Sequence, residues 1–255
     1  MTALLEMRAI TKTFPGVKAL DGVNLTVRKG EFFVVLGPNA AGKTTTIKML
    51  VGLIAPSSGT VKVCGYDVQV DPIEVRKRLA YVPDFPFLYD KLTPWEFLRF
   101  TGQLFHMTEE EIQERTRDLV SRFSLEPYLR KSIESLSHGT RQRIAIVSAL
   151  MHNPDVFVLD EPMVGLDPHH QFILKEVLKE RATAGMTVFL STHQLSVAEE
   201  VADRIGIVHM GKMVAVGTKK ELHNLGGVGN AALEATFLAL TREESDVVTQ
   251  RQLHQ

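Results

Sequence analysis

The run Phe32-Phe33-Val34-Val35-Leu36 followed by Gly37-Pro38-Asn39-Ala40-Ala41-Gly42-Lys43-Thr44-Thr45 sets the frame for the whole chain. Five consecutive apolar residues predict a buried strand, and Lys43 to Val51, ending at Gly52, predicts a helix. Between them, the spacing G-x4-G-K-T is that of a phosphate-binding loop, whose glycines let backbone N–H groups turn inward toward an anion. The helix N-terminus adds partial positive charge at the same place. In this reading Gly37 through Thr45 hold the phosphates, Lys43 reaches the β- and γ-phosphates, and the Thr44 hydroxyl holds Mg²⁺. Strand, loop and helix in that order give the motif its structural context.

Working outward, the 255 residues suffice for one large domain or two small ones. Hydrophobic residues make up 44% and charged residues 23%, as in an ordinary water-soluble fold. No apolar run approaches the roughly 20 residues that span a bilayer, and the start Met-Thr-Ala-Leu-Leu-Glu lacks the basic and apolar regions of a secretory signal. The one cysteine, Cys64, is expected in a strand and forms no internal disulfide, which suggests a reducing compartment. With 29 basic and 30 acidic residues the net charge is −1, so nucleic-acid binding, which draws on a basic excess, is disfavoured. The cluster Arg76-Lys77-Arg78 reads as a solvated helix face.

Residues 1–36 read as strands, at Leu4–Ile10, at the alternating Val23, Leu25 and Val27, and at Phe32–Leu36; Thr60–Cys64 and Leu79–Val82 follow. From about residue 84 the pattern turns helical. Thr93/Glu96 and Thr108/Glu111 are capping boxes, each opening a stripe: Phe97, Leu98, Thr101, Leu104 and Phe105, then Ile112, Thr116, Leu119, Val120 and Phe123. The aromatic residues Phe85, Phe87, Tyr89 and Trp95 are either core or a docking surface. Strands return at Val156–Asp160, Thr187–Ser191, Ile205–His209 and Met213–Val216, with helices around Pro168–Thr183 and Ser196–Asp203. Past Gly226-Gly227 a short helix, Ala231–Leu240, precedes a polar tail read as frayed.

Two further elements carry chemistry. Val156-Phe157-Val158-Leu159-Asp160-Glu161 is a buried strand that ends in two carboxylates, which places Asp160 to hold Mg²⁺ through water and Glu161 to polarise an attacking water. Leu136-Ser137-His138-Gly139-Thr140-Arg141-Gln142-Arg143 precedes an apolar helix, Ile144 to Met151. Read alone, Ser137 is a helix N-cap. In the presence of a phosphate, the same helix tip offers a hydroxyl and backbone amides.

Here the chain resembles the ATP-binding-cassette (ABC) transporter ATPases over nearly its whole length. The family signature, Leu-Ser-Gly-Gly-Gln before a basic residue, Gln and Arg, is kept at Leu136, Ser137, Gly139, Gln142 and Arg143, while His138 and Thr140 depart from it. The resemblance implies an α/β fold: a P-loop core with a mostly parallel sheet, an antiparallel N-terminal β subdomain and an inserted helical subdomain. On it, residues 1–83 and 155–225 form the core, 84–154 the helical signature subdomain, and 226–255 a C-terminal helix and tail. It implies that Phe14 stacks on adenine, that Asp167 in Gly165-Leu166-Asp167-Pro168 couples two ATP sites, and that His193 after Ser191-Thr192 is the switch that contacts the γ-phosphate. Ala40 stands where the family has glycine. Asp84, in Tyr81-Val82-Pro83-Asp84, stands where it has a glutamine touching Mg²⁺ and the attacking water, so Asp84 is either a metal and catalytic residue or only a turn.

The implied activity is Mg²⁺-dependent ATP hydrolysis that powers transport. Two subunits, alike or paralogous, would pair head to tail, each ATP lying between one chain's Gly37–Thr44 and the other's Ser137–Gly139. A separate integral membrane permease subunit would complete the system on the cytoplasmic face. The ending Leu233-Glu234-Ala235-Thr236-Phe237-Leu238-Ala239-Leu240 looks like bacterial export cassettes of the ABC-2 type. The competing reading is a cassette acting as a regulatory or nucleic-acid-associated switch. A GTPase would carry an N-K-x-D motif, which is absent, and a small-molecule kinase would lack Leu136–Arg143.

Overall fold

The computed structural model describes residues 2–225 and 233–241. The chain opens with two long antiparallel strands, β1 (Ala3–Phe14) and β2 (Val17–Arg28), then β3 (Phe32–Leu36) and helix α1 (Lys43–Leu50). Next come β4 (Ser58–Val63), β5 (Tyr66–Asp67), α2 (Pro72–Arg78) and β6 (Leu79–Val82). The helical segment is α3 (Pro94–Leu104), α4 (Glu109–Arg122) and α5 (His138–Leu150), with two one-turn 3-10 helices before α5. The alternation then resumes with β7 (Val156–Asp160), α6 (Pro168–Thr183), β8 (Thr187–Thr192), α7 (Leu195–Val201), β9 (Arg204–His209), β10 (Lys212–Gly217) and α8 (Lys219–Leu225). Residues 233–241 are helical, and Leu233 is buried in the core. The expected helix start at 231–232 and the tail from 242 lie outside the described residues.

Among the described residues ten strands form two sheets. A four-stranded sheet has the order β2-β1-β4-β5, and a six-stranded sheet has the order β10-β9-β3-β8-β7-β6. In the larger sheet β9, β3, β8, β7 and β6 run parallel and only β10 pairs antiparallel, so both faces must be covered. The side-chain period of two in β3 builds two cores from one strand. Phe32, Val34 and Leu36 pack with Ile144, Val147, Leu174 and Val177 of the helices, whereas Phe33 and Val35 pack with Val23, Leu25 and Val27 of β2 and with Ile47 of α1. Phe33 also stacks on Phe189 of β8 at 5.7 Å.

Both capping boxes form: the hydroxyls of Thr93 and Thr108 accept from the amides of Glu96 and Glu111, and the glutamates accept in return. The two stripes are buried at Phe97, Leu98, Ile112, Thr116, Leu119, Val120 and Phe123, but Leu104 is exposed because α3 ends there. Cys64 corrects one expectation. It falls just past β4, at φ 51°, in the tight turn to Gly65 that reverses the chain into β5. Its thiol is free, and burial pushes its pKa up to about 11. In the basic cluster, Lys77 and Arg78 pair with Glu74 one turn back, at 2.7 Å each. Trp95 packs against the core, while Phe85, Phe87 and Tyr89 stay on the surface.

Candidate functional site

Parallel strands bring their C-terminal ends to one edge of the sheet, and every chemical residue of the core follows from that edge. Gly37–Gly42 leaves β3, Asp84 follows β6, Asp160 and Glu161 end β7, and His193 follows β8. The loop after β3 closes on α1, whose N-cap is Gly42 at φ 112°, with no side-chain cap and no acidic residue in the first turn. A Cβ at Gly42 would lie 2.7 Å from Leu20 Cδ2, so only glycine fits there. The result is a helix N-terminus with uncompensated partial positive charge, opening into a cleft of about 500 Å³. Asn39 through Thr45 line that cleft, together with Asp84, Glu161, Lys18 and Met210.

Lys43 is buried, and its ammonium donates to the carbonyls of Gly37 at 2.8 Å and Pro38 at 3.2 Å. It also lies 3.4 Å from Glu161 Oε1. That oxygen has no hydrogen-bond partner among the described residues, so the contact is an ion pair only. Glu161 Oε2 lies 3.0 Å from His193 Nδ1. The Glu161 backbone is left-handed, φ 46°, and its amide donates both to the Ser191 carbonyl and to the Ser191 hydroxyl, at 3.2 Å each. Ser191 Oγ in turn donates to the buried Asp160. One serine of β8 thus holds the Asp160 carboxylate and the Glu161 backbone.

Asp84 flanks the same cleft and, with Thr44 and Asp160, lines the hollow beside it. Burial, together with the negative charges of Asp160 and Glu161, raises its carboxyl pKa; His138 and His193 work in the opposite direction. Ala40 does adopt the left-handed backbone, φ 62°, that glycine would supply without strain. Phe14 lies outside the cleft lining, 40% exposed with Lys12 Nζ 5.0 Å above its ring; its strand partner Val17, together with Lys18 and Ala19, lines the cleft instead. Gly211 and Met210 also line it, at the β9–β10 turn. Sequence reasoning missed these five, and only Gly211, in a tight turn between strands, carried a readable signal.

The signature residues stand apart. Neither Ser137 nor Gly139 lines the cleft. Ser137 caps α5, its exposed hydroxyl accepting from the Thr140 amide at 3.3 Å. Asp167 caps α6, accepting from the His170 amide at 3.0 Å, and the hydrogen bonds of His170 hold its carboxyl well below the usual range.

A comparison with known families finds that residues 20–164 match the profile described as "ABC transporter". The chain belongs to the ABC transporter family. As an ABC cassette it is 36% identical over 222 residues to the "Nod factor export ATP-binding protein I" of Cupriavidus metallidurans, which covers 87% of this chain and 73% of that one. Among solved structures, an "ATP binding subunit of ABC transporter" superposes with a TM-score of 0.89 at 34% identity, covering 93% of this chain and 99% of that one. The dimeric bacterial ABC transporter cassette MJ0796 superposes with a TM-score of 0.78 at 27% identity, covering 84% and 98%.

The α/β fold read from the sequence is therefore that of an ABC ATPase, an enzyme that hydrolyses ATP with Mg²⁺. Cassettes of this family dimerise and work with membrane components. The donor set fits both groups. The open amides of α1 and the buried Lys43 suit a triphosphate, and the Thr44 hydroxyl and Asp160 carboxylate are hard oxygen donors suited to Mg²⁺. Bound there, Mg²⁺ would neutralise charge on the phosphate oxygens. Among the described residues there is no group of three or more His, Cys, Asp or Glu that could hold a metal ion by itself. No described helix is long and apolar enough to cross a membrane.

Proposed function

We propose that this chain is the ATPase subunit of an export system, binding ATP at Gly37–Thr45 and pairing head to tail with a second ATPase subunit, a copy of itself or a paralogue. In this reading Lys43 grips the β- and γ-phosphates, Thr44 and Asp160 hold Mg²⁺ with Asp84 beside them, Glu161 polarises the attacking water, and His193 orients Glu161 and reads the γ-phosphate. Ser137 and Gly139 serve the partner's nucleotide, and Asp167 couples the two sites. Phe14 flanks the base. Residues 84–154 act as the signature subdomain, 1–83 with 155–225 as the core, and the helix at 233–241 as an accessory element.

One observation carries this reading. Lys43 and Glu161 line a single cleft, with His193 against the Glu161 carboxylate, while the helix tip at Ser137 is exposed and outside that cleft. A triphosphate held by Lys43 leaves Ser137 without an anion unless another chain brings one. The export assignment rests on likeness to a relative whose name specifies export. Phe85 and Phe87, 70% and 91% exposed, supply an apolar face for an integral membrane permease subunit, which would place this chain on the cytoplasmic face of the membrane.

The deciding experiment is size-exclusion chromatography of Glu161→Gln with and without Mg-ATP. The variant keeps the phosphate cradle but loses the carboxylate, so it should trap ATP and elute as a dimer. A monomer at every ATP concentration, together with a parent activity independent of protein concentration, would overturn the paired site.

A further inference from the structure

The tips of α5 and α6 are joined through the protein interior by an unbroken line of side-chain hydrogen bonds. Ser137 Oγ lies 2.9 Å from Thr140 Oγ1, which accepts from Arg143 Nη2 at 3.0 Å. Arg143 Nη1 lies 2.8 Å from His170 Nε2, and His170 Nδ1 lies 2.6 Å from Asp167 Oδ2. The middle of the line is buried, with Thr140 at 3% and Arg143 at 7% exposure, whereas both ends, Ser137 and Asp167, face solvent.

Chemistry fixes the direction of the bonds that Arg143 and His170 make, whereas between Ser137 and Thr140 either hydroxyl can donate. A guanidinium can only donate, so His170 Nε2 accepts, and the single ring proton sits on Nδ1, donated to Asp167. No carboxylate touches the buried Arg143 charge among the described residues; its other acceptors are the carbonyls of Phe123 at 2.6 Å and Gly139 at 3.3 Å. Asp167 therefore offsets the Arg143 charge at one remove, through a neutral imidazole. The backbone supports the same link. A Cβ at Gly139 would lie 2.4 Å from the Gly165 carbonyl, so the tip of α5 packs directly on the loop that leads from Glu161 to Asp167.

We propose that Thr140, Arg143 and His170 are positioning residues that rigidly couple the Ser137 hydroxyl to the Asp167 carboxylate, so that whatever engages one tip sets the place of the other. This rests on the paired-site reading, in which Ser137 meets the partner's nucleotide and Asp167 lies on the loop that follows the chain's own Glu161. It gives the threonine at position 140 a function: its hydroxyl is short enough to turn inward and bridge serine to arginine. A serine that shifts on meeting a γ-phosphate would move Thr140, Arg143 and His170 with it, because each donor has its acceptor committed. The loop after Glu161 then reports the state of the neighbouring site.

The test uses the full chain with Mg-ATP, measuring kcat, KM and the Hill coefficient for His170→Ala and His170→Gln. The glutamine amide can accept from Arg143 and donate to Asp167, so His170→Gln should keep kcat within about twofold of the parent. His170→Ala should lower kcat about tenfold, with KM shifted less than about twofold and the Hill coefficient falling toward one. Thr140→Ser and Thr140→Val repeat the split at the other end and decide the matter if His170→Ala lowers the melting temperature. Equal kinetics for all four variants and the parent would overturn the relay, and so would equal losses in the Gln and Ala variants and in the Ser and Val variants. Pairing of Glu161→Gln, run alongside, separates the two ideas. Failure to pair sinks the composite site; pairing with indistinguishable His170 variants sinks the relay alone.

Discussion

His193 Nδ1 and Glu161 Oε2 stand 3.0 Å apart, while Lys43 approaches the other oxygen of the same carboxylate at 3.4 Å. Glu161 is thus held between two cationic or proton-bearing groups from different elements, above a backbone pinned to Ser191. The half-exposed His193 can swing, but the buried Lys43 cannot leave the loop carbonyls without finding another set of oxygens, such as those of a phosphate.

His193→Ala removes the group that orients Glu161 but leaves the cradle intact. We expect kcat to fall by about 10²-fold, the lower range for a positioned acid–base pair, with ATP binding by the isolated chain weakened far less. Phosphate release and equilibrium nucleotide binding measure the two quantities; turnover within about twofold of the parent would remove His193 from the site.

Ala40→Gly should stabilise the chain. The methyl sits on a left-handed backbone, φ 62°, and is exposed, so glycine relieves strain without opening a cavity. Relief of about 1 kcal/mol, less the greater freedom of glycine in the unfolded chain, leaves a gain of about 0.5 kcal/mol. Urea unfolding reads it directly, and a loss of stability would show that the loop needs the methyl.

Much of this was legible because the relevant signals are local. A five-residue apolar run, a Pro at the first turn of α6 and two capping boxes each act within a few residues, and β3, α6 and β7 fall where the sequence places them. Strand ends were less legible: β1 runs to Phe14 because its pairing with β2 continues through Thr13–Lys18 and Phe14–Val17, a contact between segments that neither shows alone. Cys64 was misread because a β-prone residue can also take a tight turn when glycine follows. The Ser137–Asp167 line was invisible for the same reason of distance, since Arg143 and His170 meet only once α5 and α6 pack.

Asp84→Asn keeps size and removes charge at the edge of the Thr44–Asp160 hollow. If its carboxylate helps draw in Mg²⁺, half-saturation of ATPase activity should require about tenfold more Mg²⁺, the lower range for loss of a supporting group. The variant chain should also unfold slightly later without Mg²⁺, since Asp160 and Glu161 no longer repel a third charge. An unchanged Mg²⁺ requirement would reduce Asp84 to a turn residue before Pro86.

His152 gives the fold an acid-sensitive point away from the cleft. Its ring stacks on Phe105 with centroids 3.8 Å apart, and neither ring nitrogen has a hydrogen-bond partner among the described residues. Burial, with the Arg115 charge adding to it, pushes its pKa down to about 4 from 6.5. The unfolded chain therefore binds this proton first as the solution is acidified. The stability contributed by neutral His152 is whole above pH 6.5 and is lost as pH falls toward 4, below which both states are protonated. Linkage gives a loss of about 2 kcal/mol from this group between pH 7.5 and 5. His152→Phe preserves the stack and removes the proton, so its urea-unfolding free energy should decline less than the parent's by about that amount over the same interval. Parallel acid slopes for the two proteins would mean that the ring takes up its proton at the same pH in the folded and the unfolded chain, and that burial does not depress it.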